Sequence, residues 1–300
     1  MVTEMSLVSL VKIEGLNMKK AIEDALNMID FHLAKSTKSI VIKPNMCYYW
    51  DYSTGQTTDP KFVAALIELI REKISPQTIS IVESDASAMK CKYAFKMLGY
   101  EKLSQDYDLK LVNLSEDKTD VTEVTVGGQS FQFMIPHTIL NADLKINLPK
   151  IKYTMEEIKI TCALKNIYGC NPYPQKSKYH TKLGETIVAL NKAMKFDLCI
   201  IDGNIVSGIQ PQRIGLVVAS KDPVAIDAAA ARIAGVNPNT MEYLKLAAEE
   251  GLGNINFAES GIPLDYFKAK YPKKGIRKKL LGKAYGMVVK MKLGKRLGLA

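Results

Sequence analysis

Apolar residues follow two spacings along most of the chain. Short runs rich in β-branched residues at Leu7–Ile13, Ser39–Ile42, Thr78–Val82, Leu109–Asn113, Ala142–Leu148, Leu198–Ile201 and Gly215–Ala219 predict buried strands. Between them apolar residues recur at helical spacing: Ala21, Ile22, Ala25, Leu26, Ile29 and Leu33 predict a helix over 18–34. The same pattern predicts helices over 61–73, 86–98, 183–194, 224–234 and 240–250. Thr58 or Asp59 before Pro60, and Asp222 before Pro223, read as N-terminal caps, while Gly99 and Gly235 read as stops. This strand–helix alternation predicts an α/β fold, a mostly parallel sheet flanked by helices. Val121–Val126 and Ser130–Met134, alternating with period two about Gly127-Gly128, predict an antiparallel hairpin appended to that sheet.

One stretch breaks the pattern. The strand ending at Leu148 meets Pro149, which has no N–H for a ladder, and Lys150 and Lys152 follow at once. A solvated loop accounts for those two lysines. From Ile158 to Ile167 the spacing suits a short helix or buried turn, closed by Gly169, yet the polar pair Lys165-Asn166 interrupts it. Solvation explains that pair less easily.

The net charge of +10 suggests a nucleic-acid partner until it is located. Ten lysines and two arginines, with no acid, lie between Phe267 and Ala300, which leaves residues 1–266 near −2. The expectation is therefore a single α/β domain over 1–265 and a basic amphipathic tail over 266–300. That tail interleaves cations with Leu280, Leu281, Met287, Val288, Met291 and Leu293, the composition of a helix lying in an anionic membrane surface. Nucleic acid is the weaker alternative, because aromatic stacking residues are nearly absent from the tail. The apolar content of 47% is ample for a large core. Five cysteines without a C-x-x-C pair, no secretory signal pattern and no run of about 20 apolar residues lead us to expect free thiols and a cytoplasmic setting, peripheral at the inner membrane face if the tail binds lipid.

In a parallel sheet, strand carboxyl ends share one edge, and ligands bind outside it. Polar residues cluster at the predicted ends: Lys43 and Asn45, Glu83, Asn147 and Lys150, Asp202. Lysines suit an anionic group, and carboxylates suit a divalent cation or proton transfer. Gly55-Gln56-Thr57-Thr58, just before a helix, could hold phosphate on free N–H groups, or simply cap the helix. His180, in a lysine-rich loop, is the best placed of three histidines for acid/base work. The chain has no H-E-x-x-H, P-loop, G-x-S-x-G or dinucleotide fingerprint.

The ordered series Lys43-Pro44-Asn45, Gly55-x-Thr57-Thr58, Glu83, Asn147-Leu148-Pro149-Lys150 with Lys152, Lys165-Asn166, Gly169, His180, Asp202-Gly203 and Lys221-Asp222-Pro223-Val224-Ala225-x-Asp227 resembles the prokaryotic family called domain of unknown function 362. The resemblance covers most of residues 8–236 and implies a fold and a site but names no established reaction. Relatives often carry ferredoxin-type iron–sulfur modules. This chain has no C-x-x-C-x-x-C run, so no intrinsic cluster is expected.

Residues and resemblance together yield three readings, with catalysis itself left open. The first is an enzyme of small-molecule or cell-envelope metabolism acting on an anionic substrate, phosphorylated compounds included. Lys150, Lys165, His180 and Glu83 are its candidate catalytic residues. Lys43, Asn45, Thr57, Thr58, Asn147, Lys152 and Asn166 would contact substrate, and Asp202 and Asp227 would hold a divalent metal. The second is a non-catalytic protein binding the same anion. The third is a redox protein working with a separate ferredoxin.

Overall fold

The computed structural model describes residues 5–154 and 158–272. In chain order the elements are β1 (Ser6–Lys12), α1 (Met18–Met28), β2 (Ser39–Pro44), α2 (Pro60–Lys73), β3 (Thr78–Glu83), α3 (Cys91–Met97), α4 (Tyr100–Asp106), β4 (Lys110–Asn113), β5 (Thr119–Val126), β6 (Gln129–Pro136) and α5 (His137–Leu140). There follow β7 (Leu144–Leu148), β8 (Lys152–Tyr153), β9 (Ile160–Thr161), α6 (Ala163–Ile167), α7 (Leu183–Met194), β10 (Leu198–Val206), β11 (Gln212–Ser220), α8 (Pro223–Ile233), α9 (Glu242–Glu249), β12 (Phe257–Gly261) and α10 (Leu264–Lys270).

Eight strands form one sheet in the order β12-β1-β11-β10-β7-β2-β3-β4. Only β11 runs against the rest, paired antiparallel to both β10 and β1, so the sheet is mixed but dominated by parallel strands. The strands are apolar on both faces. In β2, Ile40 and Ile42 join a core under α1, α2, α3 and α4, while Val41 joins the opposite core under α6, α7, α8, α9 and α10. A sheet buried on both faces needs such continuous apolar runs, which is why helices cover it twice.

The chain runs from β2 outward to β3 and β4, then returns so that β7 pairs with the other side of β2. Connections leave β2 and β7 in opposite directions, and the gap between their carboxyl ends is a topological switch point. The loop from 45 to 59 sits over that gap. Gly55 adopts φ +70°, and a Cβ there would lie 2.3 Å from the Val206 carbonyl carbon, so only glycine lets this loop press on β10.

Several expected elements differ. The β5–β6 hairpin is a separate two-stranded sheet packed on α7, not an addition to the main sheet. The helix expected over 86–98 starts at Cys91, because Asp85 accepts the Cys91 N–H (2.9 Å) after a turn through Ala86–Met89. Of the run from Ile158, Ile160–Thr161 pairs with Lys152–Tyr153, and only Ala163–Ile167 is helical. The boundary expected at residue 265 falls inside α10. That helix docks on α8 with Phe267 fully buried, and Tyr271 donates its hydroxyl to Ile151 O (2.9 Å), so the folded body reaches Pro272. The rest of the tail, 273–300, lies outside the described residues.

Candidate functional site

A cleft of about 580 Å³ opens at the β2/β7 switch point, within the range of small-molecule sites. Lys43, Asn45, Glu83, Lys150, Lys152, Lys165 and Asn166 line it, as do Cys47, Tyr48, Tyr168, Gly169 and Lys176. Five lysines and a single glutamate thus line the cleft. They arrive from separate segments: Lys43 from the end of β2, Lys150 from the turn after β7, Lys152 from β8, Lys165 on α6, and Lys176 in a 3₁₀ stretch over Lys176–Lys182.

Two of the lysines are neutralised in place. Lys43 Nζ donates to Glu83 Oε2 (2.8 Å) and Pro44 O (2.7 Å), with both ion-pair side chains at most 3% exposed. Gly169 lets the backbone close over this pair: a Cβ there would lie 2.9 Å from Glu83 Oε1 and 3.0 Å from Lys43 Nζ. Lys150 Nζ donates to Ile205 O (2.7 Å) and to Asp202 Oδ2 (3.0 Å), a second pair removed from water.

The other three cations face no carboxylate partner of their own. Lys152 Nζ donates to Asn45 Oδ1 (2.6 Å) and Gln56 O (3.1 Å), and Lys176 Nζ to Ser84 Oγ (2.5 Å). Lys165 Nζ has no acceptor among the described residues. Burial lowers the amine pKa of all three, since a desolvated ammonium is disfavoured. For Lys165, burial and then the charge of Lys152 bring it down from 10.5 to about 8.

A one-way relay of amides holds α6 against the two strand ends. Lys152 donates to Asn45, Asn45 Nδ2 to Asn166 Oδ1 (2.9 Å), Asn166 Nδ2 to Asn147 Oδ1 (2.7 Å) and Lys43 O (3.1 Å), and Asn147 Nδ2 to Ala163 O (2.9 Å). Every amide has one orientation that satisfies its neighbours, so the chain of bonds fixes where Lys165 emerges. Asp227 secures the other end of α6, its carboxylate accepting Ala163 N–H (2.6 Å) and Leu164 N–H (3.4 Å), with the Tyr243 hydroxyl 3.3 Å away.

Burial raises the Asp227 carboxyl from 3.8 to about 7, outweighing those hydrogen bonds. Between those values the folded chain keeps a proton that the unfolded chain releases, so stability falls as pH rises through the window and levels off above it. The penalty at the top is on the order of 4 kcal/mol. Asp227→Asn, which stays neutral, is expected to flatten this dependence: in urea titrations the parent midpoint should fall more between pH 4 and pH 7 than the variant midpoint.

Several expected contacts are spent inside the protein. Thr58 Oγ1 donates to Leu148 O (2.8 Å) and accepts Asn45 N–H (2.9 Å), tying the ends of β2 and β7, and Thr57 Oγ1 donates to Trp50 O (2.6 Å) within the loop, so neither threonine lines the cleft. Asn147 is fully buried behind Asn166. The expected metal ligands Asp202 and Asp227 serve separate networks: Asp202 also accepts Asp59 N–H (2.9 Å), and Asp227 caps α6. Among the described residues no group of three or more His, Cys, Asp or Glu could hold a metal ion. The side chain of His180 lies outside the described set.

Lys176, Cys47 and Tyr48 line the cleft without having been singled out in the sequence. Lys176 stands among Lys178 and Lys182 in a polar loop, where nothing local distinguishes the lysine that turns inward. Tyr48, at φ +53°, carries backbone strain at the rim, a position where bulky residues are uncommon. All five cysteines are free, and Cys47 alone among them is not buried.

A thylakoid-associated protein of Synechocystis sp. is 28% identical over 250 residues, covering 78% of this chain and 74% of that protein. Among solved structures, the lactate racemase apoprotein of Thermoanaerobacterium thermosaccharolyticum matches with a TM-score of 0.43 at 10% identity. The match covers 78% of this chain, which spans only 58% of that protein. The profile described as "Domain of unknown function (DUF362)" matches residues 40–232, a span holding every cleft lysine and the whole amide relay, and the chain belongs to that family.

Proposed function

We propose that the chain is an enzyme of small-molecule or cell-envelope metabolism whose cleft binds a substrate bearing at least two negative charges, phosphorylated compounds included. One observation carries the reading: Lys152, Lys165 and Lys176 converge without a carboxylate of their own, each with its amine pKa lowered by burial. Cations held this way are costly until an anion joins them. The paired Lys43–Glu83 offers a carboxylate for proton transfer beside that anion. A redox role with a separate ferredoxin has no comparable support.

Calorimetric titration with ethanedisulfonate, whose two charges do not titrate, tests the reading. Binding is expected for the dianion and not for neutral dimethyl sulfone, and it should weaken as salt rises. Equal response to the two would sink it. If ethanedisulfonate binds but no turnover follows with any phosphorylated or carboxylated substrate, the non-catalytic reading takes its place.

A second reading concerns residues 273–300, whose eight lysines and two arginines with no acid support attachment to an anionic membrane surface. Each cation near such a surface contributes on the order of 1 kcal/mol. The relative named as thylakoid-associated accords with it. Among the described residues no helix is long and apolar enough to cross a membrane. The full chain is expected to pellet with anionic vesicles and not with neutral ones, while a chain ending at Pro272 stays in the supernatant; equal pelleting of both chains removes the reading.

A further inference from the structure

Lys165 differs from the other cleft lysines in what its amine touches. Lys43 and Lys150 are each tied to a carboxylate and a carbonyl, Lys152 to an amide oxygen and a carbonyl, and Lys176 to a hydroxyl. Each of those four amines is already engaged with an acceptor of the protein. Lys165 lines the same cleft, is held in position by the relay through Asn166 and by the Asp227 cap, and donates to no acceptor among the described residues. Its amine is the free one. With a pKa of about 8, roughly a tenth of it is unprotonated at pH 7 and half at pH 8. A lysine desolvated beside other cations is the arrangement that makes an amine nucleophilic near neutral pH.

An anion-binding cleft does not need this fifth amine to differ. Charge alone would be served as well by a lysine tied down like its neighbours. Resting on the reading of the cleft as an anion site, we propose that Lys165 is a nucleophile that forms an imine with the carbonyl carbon of an anionic substrate, whose carboxylate or phosphate is held by Lys152 and Lys176. The neutral Nζ adds to the carbonyl carbon, forming the N–C bond as the C–O π bond breaks and the oxygen takes a proton. The resulting carbinolamine expels that oxygen as water, which carries off both amine hydrogens, so the step needs no oxidant or reductant. Protonated, the imine withdraws electrons from the neighbouring carbon and acidifies its C–H bond. The anionic group of the substrate meanwhile offsets the charge of Lys152 and Lys176, which would otherwise oppose the cationic imine.

The test is reductive trapping on the full chain at pH 8. Glyoxylate and pyruvate form the carboxylate arm, dihydroxyacetone phosphate and glyceraldehyde phosphate the phosphate arm, and acetone the uncharged control, each with borohydride. The expected result is one adduct per chain in at least one arm. It should map to the peptide carrying Lys165, be suppressed by ethanedisulfonate and be absent with acetone; the arm that labels identifies the anionic group. Lys165→Arg, which keeps the charge and loses the nucleophile, should lower labelling at least tenfold while still binding ethanedisulfonate. Peptide mapping of the unaltered chain makes the test independent of whether that variant folds. Absence of an adduct in both arms while ethanedisulfonate binds overturns this inference alone, as does labelling spread over surface lysines and indifferent to the competitor. Failure of ethanedisulfonate to bind the unaltered chain would remove the anion-site reading and this inference with it.

Discussion

Lys150→Met is expected to destabilise the folded chain by about 3–5 kcal/mol, because removing one member of a buried ion pair leaves its partner uncompensated. Asp202 is fully buried and keeps only backbone donors, the Asp59 N–H (2.9 Å) and the Asn204 N–H (3.1 Å), once Lys150 is gone. Ile205 O would also lose its donor at 2.7 Å. Methionine fills the space of the lysine stem, so the loss reports charge and hydrogen bonding more than packing. Urea denaturation of the variant, against the parent at the same pH, measures it. The double variant Lys150→Met with Asp202→Asn should recover part of the loss, as removal of both charges takes away the unpaired one.

Lys165→Met should have the opposite signature, weakening binding of ethanedisulfonate roughly tenfold to a hundredfold while leaving the fold intact or firmer. The folded amine is held at about 8 against 10.5, so between those values the unfolded chain binds a proton more readily. Stability is therefore full above the window, declines as pH falls through it and stays low beneath it. Removing the amine lifts that penalty, and the variant is expected to gain roughly 1–3 kcal/mol at pH 7, fading above pH 10. Denaturation at pH 7 and pH 10.5, paired with calorimetric titration, checks both halves. A large fall in stability with binding retained would make Lys165 a structural residue.

The sheet was legible because its strands are β-branched runs with apolar residues on both faces, as in Ile40, Val41 and Ile42. Strand β12 was not, since Phe257–Gly261 is an edge strand whose Glu259 and Ser260 break the apolar run. Periodicity also carried α1 past its end at Met28, where Asp30 takes a positive φ and turns the chain. Local spacing cannot register a long-range constraint such as the pairing of Ile160–Thr161 with Lys152–Tyr153.

For the cleft, sequence position marked the right edge of the sheet but not which way each polar group turns. Lys43, Asn45 and Asn147 all stand at ends of β2 and β7, yet Asn45 and Lys43 line the cleft and Asn147 lies behind it. A buried polar side chain at a strand end must satisfy its hydrogen bonds somewhere, and a neighbouring amide serves as well as a ligand. Thr57, Thr58, Asp202 and Asp227 follow that rule and were spent on the scaffold. The interruption of an apolar run by Lys165-Asn166 was the clearest signal in the sequence, and it marks the helix on which the free amine stands.

If the unpaired lysines of the cleft await an anion, binding should draw protons onto the protein. Ethanedisulfonate carries permanent charge, so any proton exchanged on binding belongs to the protein. A second sulfonate set beside Lys165, where a substrate would place its carbonyl, raises an amine that rests at about 8, and at pH 8 Lys165 alone should take up about half a proton per ligand. Calorimetric titration in two buffers of different ionisation enthalpy gives that number. The expected result is uptake at pH 8 that falls toward zero at pH 6, where the Lys165 amine is already charged, and that is largely lost in Lys165→Met. Binding without proton uptake at pH 8, or uptake unchanged in Lys165→Met, would contradict it.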